Sequence, residues 1–92
     1  STKKMVILGD MFELGNESLK EHQAIVDYSS TLSIELQIFV GEHFFKTKTK
    51  HLKFKNFESL KNYLENNKIE NSSILIKGSR GMRLERVLES FN

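Results

Sequence analysis

The chain has no cysteine, and its apolar runs are short, Met5 to Leu8 being typical. The first absence excludes a disulfide framework and a thiolate metal site, and it permits a reducing compartment. The second excludes a membrane-spanning helix, which needs roughly 20 apolar residues in a row. A large excess of one charge is missing as well: 14 Lys and Arg stand against 12 Asp and Glu, a net +2. That balance does not point to nucleic acid through bulk electrostatics. His22, His43 and His51 lack a tight ligand spacing, and no Ser occupies a G-x-S-x-G elbow, so neither a metal site nor a nucleophilic triad finds support. What is present suffices for one small core: 92 residues, 38 % of them hydrophobic, with seven Phe. A chain of this length buries only about 60–65 % of its unfolded surface, which leaves no room for a second core. The start at Ser1-Thr2-Lys3-Lys4, without an initiator Met or a signal-peptide core, reads as a piece of a longer polypeptide.

Periodicity divides the chain into alternating elements. Lys4 to Leu8 is a continuous apolar run ending at Gly9, the pattern of a strand buried on both faces. Leu19, His22, Ile25, Val26, Ser29 and Leu32 recur at helical spacing, which predicts a helix over about 17–32; Asn16 or Ser18 would cap it, and Ser18 with Glu21 has capping-box spacing. Leu36 to Val40 reads as a second buried strand, and His51 to Lys55 as a strand with one wet face near a sheet edge. Asn56 caps a helix carrying Phe57, Leu60 and Leu64, with Asn66-Asn67 as a left-handed stop. Ser73 to Lys77 is a further strand, taken as buried, and Leu84, Val87, Leu88 and Phe91 predict a final α-helix. This order gives an α/β fold: a mostly parallel, Rossmann-like sheet flanked by helices in a single domain. Gly9, Gly41 and Gly78 each end a strand, so parallel strands would align them on one edge. In open α/β sheets, ligands bind beyond that carboxyl edge.

Two of these turns carry chemistry-bearing residues. Lys77-Gly78-Ser79-Arg80-Gly81 joins a strand to a helix start, where backbone amides, the helix dipole and the Arg80 fork suit a carboxylate or phosphate. It is not a Walker P-loop. The same residues also read as a tight turn with a solvated Arg80. Leu8 to Gly15 sets Asp10 and Glu13 on the neighbouring loop, where Asp10 can accept from an ammonium group or from Arg80. Equally, Asp10 and Glu13 can cap or solvate a turn while Met11 and Phe12 plug the core. His22, on an apolar helix face, reads as a hydrogen-bonded core residue. The lysines from Lys46 to Lys55 read as a solvated edge, with only Phe54 between them to stack a base.

Leu8-Gly9-Asp10-Met11-Phe12-Glu13-Leu14-Gly15, Glu21-His22, Val40-Gly41 and Ile76 through Val87 together resemble the carboxyl-terminal domain of the Mur ligases. Within that family they lie closest to the branch that adds D-alanyl-D-alanine. Phe12, where the family typically has Leu, and the loosely matching Phe44 to Lys55 stretch are departures. The resemblance implies an ATP-dependent amide ligase of cytoplasmic peptidoglycan precursor synthesis. ATP phosphorylates the terminal carboxylate of UDP-N-acetylmuramoyl-tripeptide, and the amine of D-alanyl-D-alanine attacks the acyl phosphate. It also implies that residues 1–92 are a substrate-closing domain lacking its first strand and helix. ATP and magnesium would belong to a central domain of the parent, and this fragment alone would hold neither and be inactive. Substrate-binding residues carried over by the resemblance are Asp10, Met11, Glu13, Lys77, Gly78, Ser79 and Arg80, with no catalytic or metal residue in the fragment. The other readings are a Mur ligase that adds a single amino acid, and a non-catalytic anion- or protein-binding module.

Overall fold

The computed structural model describes residues 3–12 and 17–91. Four strands, β1 (Lys3–Gly9), β2 (Leu36–Val40), β3 (Leu52–Phe54) and β4 (Ser72–Lys77), form one sheet in the order β3-β2-β1-β4. All three pairings are parallel. The α/β expectation therefore holds, with a wholly parallel sheet.

The central strands are buried on both faces, as their unbroken apolar runs predict. Ile7, Ile38, Phe39 and Val40 have no exposed surface. Fully burying side chains of this kind contributes about 1.5–3 kcal/mol each. On one face Met5, Ile7, Ile38 and Val40 pack against Leu60 and Leu64 of α3 (Phe57–Asn66), with Leu84 and Val87. On the other, Phe39 packs with Val26 of α1 (Ser18–Ser29) and Phe44 of α2 (Glu42–Phe45).

Several local expectations are corrected. α1 ends at Ser29 because Thr31 and Leu32 bond back to Tyr28 and Ser29 carbonyls as a turn, and Leu32 is exposed. Ser18 makes no cap: Glu17 holds the cap position without a side-chain bond, while the Asn16 alternative lies outside the described residues. Asn56 does cap α3, accepting from the Ser59 amide at 2.9 Å. α3 stops without a left-handed residue, since the Asn66 and Asn67 side chains donate to the Asn62 and Tyr63 carbonyls instead. β4 is an edge strand, not a buried one, and its outward Leu75 is 53 % exposed. β3 forms the opposite edge, as its alternation predicted.

The final segment is not an α-helix. Arg80–Met82 and Leu84–Phe91 wind as 3-10 helices, separated by Arg83 in the left-handed region at φ 50°. With three residues per turn, i and i+3 eclipse. Leu84 and Val87 therefore share the buried stripe, and Leu88 is exposed. No helix among the described residues is long and apolar enough to cross a membrane.

Candidate functional site

The parallel register brings the strand-ending glycines to one edge, in the order Gly41, Gly9, Gly78. The turns pack closely: a Cβ on Gly78 would stand 3.1 Å from both the Gly9 Cα and the Leu84 side chain, and a Cβ on Gly9 would press on Leu84 at 2.5 Å. The two loops are then stitched together. The Ser79 amide donates to the Asp10 carbonyl at 3.0 Å, and the Phe12 amide donates to Ser79 Oγ at 2.6 Å.

Asp10 is only 2 % exposed. Its carboxylate accepts from the His43 amide at 2.8 Å and the Phe44 amide at 2.9 Å, so it caps α2 from another part of the chain. Among the described residues it makes no ion pair with Arg80. The expected Asp10–Arg80 partnership is replaced by this cap, because two backbone amides at a helix start already hold both oxygens. Gly41 makes the cap possible: it sits at φ +128°, and a Cβ there would collide with the Asp10 carboxylate. Met11 is tethered next, its amide donating to His22 Nε2 at 3.0 Å. His22 is fully buried, as a core histidine was expected to be. Phe12 does not plug the core; it is 45 % exposed and leans on Gly81. Glu13 lies outside the described residues.

Beyond the stitched loops opens a cavity of about 610 Å³, walled by Met11, Ile76, Leu84 and Leu88 and by Lys77-Gly78-Ser79-Arg80. The structure thus brings together Met11, Lys77, Gly78, Ser79 and Arg80, and leaves Asp10 beneath them as scaffold. Lys77 and Arg80 are exposed. The helix-dipole part of the anion cradle is not realised: the segment after Ser79 is a three-residue 3-10 turn, and the Ser79 amide is already bound. Attraction for an anion here comes from the Lys77 and Arg80 side chains. Glu85, itself exposed, also lines the cavity. At 3-10 pitch Glu85 and Leu88 eclipse, and both line the cavity. One wall therefore carries both signs of charge beside an apolar floor, an arrangement suited to a small zwitterion.

No protein-family model matches the chain. It is 33 % identical over 91 residues to the UDP-N-acetylmuramoyl-tripeptide–D-alanyl-D-alanine ligase of Buchnera aphidicola. To the same-named proteins of Rickettsia prowazekii and Borreliella burgdorferi it is 30 % and 27 % identical, over 94 and 96 residues. The Buchnera match takes in 94 % of this chain but 20 % of the relative, so the chain spans about a fifth of the length of the curated relatives it matches. Among solved structures, the MurF ligase of Thermotoga maritima in complex with ADP matches at TM-score 0.75 and 25 % identity, over 99 % of this chain and 22 % of that one. MurF from Acinetobacter baumannii shares the fold at TM-score 0.71 and 24 % identity, again over 99 % of this chain and 22 % of that one.

Proposed function

We propose that this chain, similar along nearly its whole length to one fifth of a Mur ligase, is the carboxyl-terminal, substrate-closing domain of an enzyme adding D-alanyl-D-alanine to UDP-N-acetylmuramoyl-tripeptide. The observation that carries this reading is the cavity over the joined Gly9 and Gly78 turns, lined by Met11, Lys77, Gly78, Ser79 and Arg80. D-alanyl-D-alanine is a small zwitterion with two methyl groups. Arg80 and Lys77 take its carboxylate, Met11 and Leu84 face its methyls, and Glu85 offers the opposite charge toward its amine end. Asp10 supports this site from below by fixing α2 and the loop.

In the parent, the terminal carboxylate of the tripeptide is activated by ATP as an acyl phosphate. The dipeptide ammonium gives up a proton, the free amine attacks that carbonyl, a new C–N bond forms with loss of the second N–H proton to solvent, and phosphate leaves with the electron pair of the broken C–O bond. The domain orients the amine and excludes water from the acyl phosphate as it closes. ATP use in the parent is supported by the ADP held in the Thermotoga maritima ligase. Among the described residues no group of three or more His, Asp and Glu could hold a metal ion; magnesium would be held by the parent's central domain. The parent works in cell-wall precursor synthesis, in the cytoplasm.

The test uses the full-length parent with ATP, UDP-tripeptide and D-alanyl-D-alanine. Arg80→Ala raises KM for the dipeptide about tenfold or more, the worth of about 1.4 kcal/mol of binding. Unchanged kinetics, or D-Glu or diaminopimelate outcompeting D-alanyl-D-alanine as acceptor, overturns the assignment.

A further inference from the structure

The proposed reaction leaves the fully buried ring of His22 without a task. Its two nitrogens have different partners. Nδ1 lies 2.6 Å from the Ser18 carbonyl oxygen, which can only accept, so Nδ1 carries the proton. Nε2 is then a bare lone pair, and it accepts the Met11 amide at 3.0 Å. These bonds select a single tautomer of the uncharged ring. His43 stacks on it at 5.0 Å between ring centroids, and Phe44 meets it edge-on at 4.6 Å.

We infer that His22 is a positioning residue for the substrate: neutral Nε2 holds the Met11 amide and so the Met11 wall of the cavity, and a proton on Nε2 releases that wall. The inference rests on the reading of the cavity as the D-alanyl-D-alanine site. A proton on Nε2 would face the Met11 N–H, donor against donor, leaving that amide without its partner. Among the described residues, the titratable groups near the ring are few. From α2 comes His43, stacked on the ring; from the β1 loop comes Asp10, whose carboxylate is bonded to the His43 amide. On α1 itself Lys20 and Glu21 are exposed, and His51 packs on Phe39 instead.

Two measurements test this. In this chain, nitrogen spectra of the His22 ring and the Met11 amide proton are followed against pH. The expected result is an Nδ1–H tautomer, with the Met11 amide moving upfield in step with His22 titration; an Nε2–H tautomer, or a Met11 amide indifferent to that titration, overturns the tether. In the full-length ligase, KM for D-alanyl-D-alanine is followed against pH. The wild type shows a several-fold rise toward acid at nearly constant kcat. His22→Gln, an acceptor that does not titrate, flattens the rise, whereas His22→Phe, a ring without an acceptor, raises KM about tenfold at neutral pH. Identical profiles for wild type and His22→Gln, or a normal KM in His22→Phe, overturn the inference. Should His22→Phe not fold, the glutamine comparison and the spectra still decide. If Arg80→Ala is silent in the same assay, the reading of the cavity fails, while the spectra still judge the tether.

Discussion

Of the two loops that meet at the carboxyl edge of the sheet, Gly9 to Phe12 turns its polar groups inward and Lys77 to Arg83 turns its charges outward. On the first loop the Asp10 carboxylate, the Met11 amide and the Phe12 amide are each bound within the protein. On the second, Lys77, Arg80 and Arg83 are exposed. The difference separates scaffold from solvent-facing charge. An acid at the carboxyl edge is not thereby free: the Asp10 carboxylate is committed to α2, while Lys77, Arg80 and Glu85 line the cavity.

Substitutions can break this division or sharpen it. The largest effect belongs to Gly41→Ala, which places a Cβ against Asp10 at φ +128°. Its unfolding free energy in urea should fall by about 3–5 kcal/mol, and a wild-type midpoint would show that the Asp10 cap is dispensable. Asp10→Ala uncaps α2 and leaves the His43 and Phe44 amides without their acceptor, costing about 2–4 kcal/mol, with Asp10→Asn intermediate. Ser79→Ala removes the stitch between the loops for about 1 kcal/mol, and faster hydrogen exchange at the Phe12 amide checks it. Arg80→Ala should change stability by no more than about 0.5 kcal/mol, despite its effect on KM; a large stability loss would place Arg80 with the scaffold.

The smallest effect lies at the opposite edge. The exposed Glu35 carboxylate accepts the Lys4 amide at 2.5 Å, and that bond above all holds it below its ordinary range. Because the folded value is lowered, this stabilisation is present above the unfolded carboxylate value, about 4.3, and is lost as pH falls through the folded one. A Glu35→Gln variant should therefore differ slightly from wild type at neutral pH and converge with it in acid, read from urea midpoints.

The strands and the edge that gathers the loops were legible because each apolar run stops at a glycine, as in Leu8-Gly9, Val40-Gly41 and Lys77-Gly78. Asn56 was legible too, since its partner is three residues away. Features that depend on distant partners were not. α2 spans four residues and is capped by a side chain 33 or 34 positions upstream, so no local signal marks it. That same distance hid the commitment of Asp10. The 3-10 pitch of Leu84–Phe91 was hidden, because Leu84, Val87 and Leu88 fit an α-helical stripe as well as a 3-10 one until Leu88 is seen exposed. That Lys77 and Arg80 stand at an open turn was legible from the local strand–glycine pattern, and both line the cavity.

Strand order has a consequence for how the polypeptide reaches this form. β1 opens the sequence yet sits mid-sheet, and its outer neighbour is β4, so Leu8 waits for Lys77 and the Phe12 amide for a hydroxyl 67 residues later. Closing so wide a span comes late and slowly in folding. During synthesis, the β4-facing side of the first strand stays unpaired until Ser72–Lys77 has been made, which leaves its valine and isoleucine open to aggregation or to chaperones.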